Sequence, residues 1–110
     1  MNEQVVVEWA PFRPAANVSE ERLLAASREL QEVFLARQPG FVRRELLRGG
    51  KGDWVDLVYW ADRKAAEEAM KAAAGSAACL SYFHLMAGPP DAASDVHHFD
   101  RVAVYGSNGA

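Results

Sequence analysis

One segment of the chain, residues 54–60, carries apolar side chains on both of its alternating faces. In a strand, successive side chains point to opposite sides, so one face holds Val55, Leu57 and Tyr59. The other face holds Trp54, Val58 and Trp60, with Asp56 as the only polar residue. Neither face can be left in water. The pattern therefore predicts a strand covered by helices on one side and by a second copy of the chain on the other.

The first half of the chain predicts a strand, a helix and an edge strand. Residues 5–12 alternate and are rich in valine and aromatic residues, which favours a first strand ended by prolines. Ser19 is a helix N-cap before two acids, and an apolar stripe then runs to about Arg37: Leu23, Ser27, Leu30 and Phe34. Residues 41–48 mix apolar and charged positions, with Phe41 expected beside Arg43 and Glu45, as is typical of an edge strand.

A glycine-rich turn at 49–53 joins this strand to residues 54–60, and an alanine-rich helix follows from the cap Asp62. Gly75-Ser76 is expected to kink or restart that helix. Its later apolar face is predicted to be Cys79, Leu80, Phe83 and Met86. Residues 95–105 alternate again and predict a last strand, while residues 106–110 read as a flexible tail.

The order β-α-β-β-α-β predicts an α+β, ferredoxin-like fold with both helices on one face of a four-stranded antiparallel sheet. Residues 1–105 are expected to form this single domain. The other face of the sheet would expose a large apolar patch in a monomer. We therefore expect a homodimer that packs sheet against sheet.

Composition excludes several classes of protein. The 110 residues include 12 basic and 15 acidic ones, so no basic field attracts nucleic acid. The single cysteine, Cys79, can form neither an internal disulfide nor a CxxC metal pair. The sequence has no basic and apolar leader and no stretch long enough to span a membrane, which predicts a cytoplasmic protein.

Asp56 and Trp60 are the candidates for catalysis. Asp56 shares a face with the tryptophan, and a carboxylate there must be hydrogen-bonded or paired, with an arginine such as Arg101 as one partner. A buried acid can instead serve as a base, because burial raises its pKa. Trp60 is either plain core or the wall of a pocket.

The histidines do not form a metal site. His97 and His98 point to opposite sides of the last strand, and the sequence has neither a second cysteine nor an HExxH pattern. His84 is either a solvated surface residue or an axial ligand of haem.

Several motifs together resemble the antibiotic biosynthesis monooxygenase-like family of dimeric α+β barrels. They are Gln38-Pro39-Gly40-Phe41, Arg44-Glu45-Leu46-Leu47, residues 54–61 and Ala65-Ala66-Glu67. The resemblance covers residues 5–105 and implies two ferredoxin-like chains that form a barrel, with a pocket between sheet and helices. Trp60 matches the tryptophan of the characterised oxygenases. Their first-strand asparagine has no counterpart, since this chain has Glu8, Trp9 and Ala10 there.

The resemblance implies a monooxygenase that uses no cofactor and oxidises a small quinol- or anthrone-like aromatic molecule. In that interpretation Asp56 is the base and Trp60 packs the ring, in an apolar hollow beside the indole. The residues expected to bind the substrate are Glu8, Trp54, Phe83, His84 and His98. Two alternatives stay open: a barrel that binds a small molecule without catalysis, and a haem-binding or haem-degrading protein that uses His84.

Overall fold

Four strands form one antiparallel sheet in the computed structural model, which describes residues 5–88 and 96–107. The strands are β1 (Val6–Phe12), β2 (Phe41–Arg48), β3 (Trp54–Trp60) and β4 (His97–Asp100). Their order across the sheet is β2-β3-β1-β4, so β2 and β4 lie at the edges. This confirms the predicted α+β, ferredoxin-like arrangement and the edge position of the charged strand.

The helices are α1 (Glu20–Val33), α2 (Arg63–Ala73) and α3 (Ala77–Phe83), and a short 3₁₀ turn, Leu35–Arg37, follows α1. Each helix begins at a side-chain cap. The Ser19 hydroxyl accepts a hydrogen bond from the Arg22 amide, and the Asp62 carboxylate accepts one from the Ala65 amide. Ser76 caps α3 through the Cys79 amide, which confirms a restart at Gly75-Ser76.

The two faces of β3 differ as predicted. Trp54, Asp56, Val58 and Trp60 are buried under the helices, whereas Val55, Leu57 and Tyr59 are only half-buried on the opposite side. We call these the helix side and the open side of the sheet. On the helix side the core combines the inward stripe of α1 with Trp60, Cys79 and Tyr82.

A bulge in β2 overturns the expected position of Phe41. The register shifts between Phe41 and Arg43, so Phe41 pairs with Trp60 rather than sharing a side with Arg43 and Glu45. Its ring meets the Trp60 indole edge-on at 5.8 Å between centroids. The extra residue, Val42, is 52% exposed.

The expected inward face of α3 is wrong in two positions. Leu80 and Phe83 point to solvent with 44% and 47% of their surface exposed, while Ala78 and Tyr82 join Cys79 in the core. The reason is the rotation of α3 about its own axis, which decides which side chains face the core. The helix starts anew at Ser76, and Cys79 and Tyr82 then lie three residues apart on the stripe that faces α1 and the sheet.

The last strand is shorter than predicted. Only His97–Asp100 pairs with β1, and residues 101–107 form no regular element. Val102, Val104 and Tyr105 are 94%, 68% and 92% exposed. Part of the predicted strand, residue 95, and part of the predicted tail, residues 108–110, lie outside the described residues.

Replacing Gly40 with alanine should destabilise the fold. Gly40 has φ +80°, and a Cβ there would lie 2.5 Å from the Ala65 Cβ at the start of α2. We expect Gly40→Ala to lower the free energy of unfolding by roughly 2 kcal/mol or more, measured by urea titration. Gly50→Ala is the control, because nothing lies within 4 Å of its Cβ position. Equal stability of the two variants would contradict the close approach of α2.

Candidate functional site

A buried ion pair occupies the middle of the helix side. Asp56 Oδ1 accepts a hydrogen bond from Arg44 Nε at 2.8 Å, and Asp56 Oδ2 accepts one from the Tyr82 hydroxyl at 2.8 Å. The side chains of Arg44 and Asp56 are only 6% and 10% exposed. Both carboxylate oxygens are therefore engaged by donors of the same chain.

Arg44 extends this cluster to the helices. Its guanidinium also donates to the Ser27 carbonyl at 3.1 Å and to the Tyr82 hydroxyl at 3.2 Å, and it lies 5.4 Å from the centre of the Tyr82 ring. A single side chain of β2 thus contacts β3, α1 and α3. These contacts supply the hydrogen bonds that a buried guanidinium requires.

The partner of Asp56 is thus Arg44 and not the expected Arg101. Asp56 pairs with Leu46 in the sheet, and Arg44 lies two residues along β2 on the same side, within reach of a diagonal contact. Arg101 follows β4 at the opposite edge of the sheet, and its amide donates to the Val5 carbonyl.

This geometry limits what Asp56 can do chemically. A base needs a free lone pair directed at its substrate, whereas the carboxylate of Asp56 is held by a cation and a phenol. Burial, followed by the charge of Asp56, raises the pKa of Tyr82 far above its usual range, so the phenol remains a donor. Asp56 as the catalytic base stays a prediction that these contacts do not favour.

A second cluster joins three strands at Glu8. Its Oε1 accepts a hydrogen bond from the Trp60 indole at 3.1 Å and lies 3.4 Å from His98 Nε2. Glu8 pairs with His98 on one side and with Val58 on the other, which brings the three side chains together from β1, β3 and β4. The side chains of Glu8 and His98 are 17% and 18% exposed, so this acid is sheltered and still reachable.

The environment of Glu8 favours its neutral form more than water does. Burial is the largest influence and raises the pKa of Glu8 above its ordinary value of 4.5, while the Trp60 hydrogen bond and His98 act in the opposite direction. His98 Nε2 is itself buried and makes no hydrogen bond of good geometry within the described residues. The Nε2 atom of His98 therefore lies beside the Glu8 carboxylate with its own hydrogen-bonding capacity unused by the described residues.

The structure does not bring the other expected residues to this cluster. Trp54 lies at the far end of β3, where it stacks on Phe12 and lies under the Arg48 guanidinium. Phe83 and His84 are exposed at the end of α3. Of the residues expected to bind substrate, only Glu8 and His98 adjoin Trp60.

Two clefts stand out in the described residues, and neither is lined by Glu8, Trp60 or His98. One, of about 240 Å³, lies between the start of α1 and the β2–β3 turn, with Trp54 in its wall. The other, of about 360 Å³, lies between α1 and β2. Trp60 itself is only 2% exposed and packs against Phe41. The hollow expected beside its indole is not one of these clefts.

The surroundings of His84 do not fit haem. This residue ends α3, its amide bonds back into the helix, and its side chain is in solvent, whereas an axial ligand must face an apolar slot large enough for the macrocycle. Neither cleft includes His84. The described residues also contain no group of three histidine, cysteine or acidic side chains placed to hold a metal.

Several solved structures share the fold of this chain over nearly its whole length. SnoaB, a cofactor-independent oxygenase from Streptomyces nogalater, matches 94% of this chain and 96% of its own with 21% identity and a TM-score of 0.63. A candidate antibiotic biosynthesis monooxygenase from Bordetella bronchiseptica matches 91% of this chain and 99% of its own, with 19% identity and a TM-score of 0.68. A further candidate monooxygenase, from Nitrosomonas europaea, has 18% identity over 96% of this chain and 95% of its own, with a TM-score of 0.64.

The fold is that of the antibiotic biosynthesis monooxygenase-like proteins. The resemblance stated from the sequence motifs is thereby confirmed at the level of structure. No protein-family model matches the sequence, and no curated protein is significantly similar to it. Identities of this size establish a shared fold, so the chemistry of this monooxygenase-like fold has to be argued from its own residues. No helix among the described residues is long and apolar enough to cross a membrane.

Sequence reasoning missed Arg44 and Tyr82 as members of the buried cluster. Arg44 stands in an alternating strand beside other charges, where a solvated side chain is the ordinary reading. The sequence did contain a clue, because Asp56 required a cation on its own side of the sheet. Arg44 is on that side, since it lies two residues from Leu46, the residue of β2 that pairs with Asp56. Tyr82 could be assigned only once the phase of α3 was known.

Breaking the buried ion pair should cost far more stability than breaking an exposed one. We expect Arg44→Gln to lower the free energy of unfolding by roughly 3–5 kcal/mol, because Asp56 would keep a buried charge without a cation. The matched variant is Arg48→Gln, whose partner Glu20 is 48% exposed at the side chain, with an expected loss below about 1 kcal/mol. Urea titration of both variants makes the comparison, and equal losses would refute the structural role of Arg44.

Proposed function

We propose that the protein is a homodimeric, cofactor-independent oxygenase that oxidises a small aromatic substrate, with Glu8 as the base. The observation that carries this proposal is the cluster of a sheltered acid, an indole and a histidine on the helix side of an oxygenase-like fold. The similarity to SnoaB over nearly the whole chain supports it, since that protein is described as a cofactor-independent oxygenase.

The proposed reaction requires one step from the protein, which is the removal of a proton from the substrate. A methylene between aromatic rings, as in an anthrone, becomes reactive toward O₂ once a base removes a proton and leaves an electron-rich anion. Addition of O₂ and one proton gives a hydroperoxide, and loss of water leaves the carbonyl. In sum, CH₂ and O₂ become C=O and H₂O, so no external reductant is needed.

Glu8 suits this role better than Asp56 does. Its pKa is raised by burial, which makes the carboxylate a stronger base than an exposed one, and one of its oxygens makes no hydrogen bond to the described residues. The indole N–H of Trp60 fixes the orientation of the carboxylate. His98 Nε2 lies 3.4 Å from the carboxylate and adds a polar atom that a bound molecule could contact.

The open side of the sheet supports the homodimer. Trp9, Leu47 and Phe99 are 40%, 42% and 55% exposed there, beside the half-buried Val55, Leu57 and Tyr59 of β3. Arg43 and Glu45 of β2 flank these apolar residues on the same side. An apolar patch with a charged rim is typical of an interface. A second copy packed face to face would cover it.

A binding protein without catalysis is the second candidate. Neither of the two clefts described above is lined by Glu8 or Trp60, and this favours the second candidate, because substrate must reach Glu8. A ligand that raises the melting temperature while no product forms would support this alternative.

Glu8→Gln should abolish most oxygen consumption with an anthrone or quinol substrate. Glutamine can still accept the Trp60 hydrogen bond but cannot take a proton, so we expect a loss of roughly 10²–10⁴-fold in rate. The wild-type rate should rise with pH through a midpoint above 4.5, because burial raises the pKa of Glu8 and only the carboxylate is a base. An oxygen electrode with product analysis measures both.

Glu21→Gln is the matched control, because this acid is exposed on α1, and it should keep the wild-type rate. Trp60→Phe removes the indole N–H and should reduce the rate less than Glu8→Gln. No turnover by the wild-type protein with any member of an anthrone and quinol panel, or equal rates for Glu8→Gln and Glu21→Gln, would count against the enzyme.

Sedimentation should detect a dimer of the 12.1 kDa chain. Trp9→Glu places a charge on the open side and should shift the protein to the monomer. Leu80→Glu adds the same charge to an equally exposed leucine on α3, and this variant should remain dimeric. A wild-type protein that sediments only as a monomer at micromolar concentration would reject the homodimer.

A further inference from the structure

The smaller of the two clefts lies at the far end of β3 from the candidate site. We call it the turn cleft: it has a volume of about 240 Å³ and lies between the start of α1 and the β2–β3 turn. Trp54 in its wall is six residues along β3 from Trp60, which corresponds to about 20 Å in a strand. The turn cleft is therefore separate from the cluster of Glu8, Trp60 and His98.

Much of the lining of the turn cleft is apolar. Leu23 and Trp54 are its most buried members, with 0% and 8% of their surface exposed, and Pro14 and Val18 lie beside them. An apolar cavity of about 150 Å³ can hold benzene. The turn cleft is larger than that, so it has room for one aromatic ring and a polar substituent.

The walls of the turn cleft are fixed by contacts within the chain. Ser19 caps α1, and Pro14 forms a bridge with Met86. Across the turn, the Gly49 amide donates to the Asp53 carbonyl at 2.7 Å. Sites for small molecules are usually preformed in this way, because ordered walls lose little entropy when a ligand binds.

The polar side chains of the lining have donors to spare. Arg48 uses Nη1 to bind Glu20 at 2.6 Å, and its other N–H groups make no hydrogen bond to the described residues. The Ser19 oxygen accepts from the Arg22 amide, so its O–H is still available as a donor. Among the residues that line the cleft Glu20 is the only acid, and Arg48 engages it. Unused donors favour an anionic group on the ligand.

The charges around the turn cleft act in the same direction. Arg13, Arg48 and the exposed Lys51 supply three positive charges, against two negative charges from Glu20 and Asp53. The side chains of the two ion pairs, Arg13 with Asp53 and Arg48 with Glu20, are between 48% and 61% exposed. Exposed pairs are weak, so a ligand carboxylate can compete with Glu20 for the guanidinium.

We propose that the turn cleft binds a small aromatic carboxylate, with its ring against Trp54 and Leu23 and its carboxylate on Arg48. The Arg48 guanidinium lies 5.9 Å from the centre of the Trp54 ring, so one short molecule reaches both. The planar fork of an arginine matches the two oxygens of a carboxylate. Trp54 belongs to the helix side of the sheet, so the proposed homodimer leaves the turn cleft open. This site is independent of the proposed oxygenase activity.

Titration of the full-length, nitrogen-15-labelled protein with sodium benzoate, followed by NMR, tests the proposal. We expect saturable shifts of the Trp54 indole signal and of the Gly49 and Gly52 amides, with a Kd of roughly 1 mM or tighter. The indole signals of Trp9 and Trp60 should not move. Benzamide has the ring without the charge, and acetate has the charge without the ring. Each should bind at least about tenfold more weakly than benzoate.

Three variants distinguish Arg48 from the general charge of the region. Arg48→Gln should weaken benzoate binding by at least about tenfold, and it should still fold, because its ion pair with Glu20 is exposed. Lys51→Gln removes an equal charge from the turn outside the lining and should change the Kd by less than about twofold. Glu20→Gln removes the competing carboxylate and should tighten binding.

The absence of saturable shifts up to roughly 20 mM benzoate would overturn the inference. Equal losses of affinity in Arg48→Gln and Lys51→Gln would also overturn it, and so would shifts of the Trp60 indole signal instead of the Trp54 signal. Failure here is distinguishable from failure of the proposed oxygenase, because Glu8→Gln should keep the wild-type affinity for benzoate while it loses oxygen consumption.

Discussion

The constraint on which this molecule depends is that β3 is apolar on both sides, while a single chain can cover only one of them. The helices cover Trp54, Val58 and Trp60, and they leave Val55, Leu57 and Tyr59 half-buried on the open side. At about 25 cal/mol per Å², even a few hundred Å² of apolar surface left in water forgoes several kcal/mol, a large share of the stability of a small domain. The homodimer proposed above therefore rests on the sequence of one strand.

Two acids share the covered side, and their surroundings assign them different roles. Both carboxylate oxygens of Asp56 accept hydrogen bonds, one from Arg44 and one from Tyr82. Because Arg44 also donates to the Ser27 carbonyl, this cluster connects β2, β3, α1 and α3. Glu8 has an indole donor and a neighbouring imidazole, and burial raises its pKa. Asp56, which the sequence favoured as the base, is therefore held by more hydrogen bonds than Glu8 is. Glu8 keeps one carboxylate oxygen that makes no hydrogen bond to the described residues.

Much of the fold could be predicted from local patterns, because alternation, caps and turn residues act over a few positions. The strands, the glycine turn and the caps Ser19 and Asp62 are of this kind. The bulge at Val42 could not be predicted in this way, because no residue type in β2 marks it. Its effect is to move Phe41 to the other face of the sheet. The phase of α3 and the pairing of Asp56 with Arg44 depend on how distant elements dock. The site residues were predicted less well than the fold. Trp54, Phe83 and His84 were expected near Trp60 because of their residue types, and their positions in the fold place them elsewhere.

The shortened β4 carries one member of the candidate site. His98 lies in this four-residue strand, two residue pairs away from Asp100, where regular pairing with β1 ends and the exposed segment begins. A short edge strand is held by few backbone hydrogen bonds and opens more easily than a central strand. The distance between His98 and Glu8 therefore depends on how firmly the four residue pairs of β1 and β4 hold this edge of the sheet. The homodimer proposed above would cover Phe99 in the same strand, and it would thereby act on the position of His98.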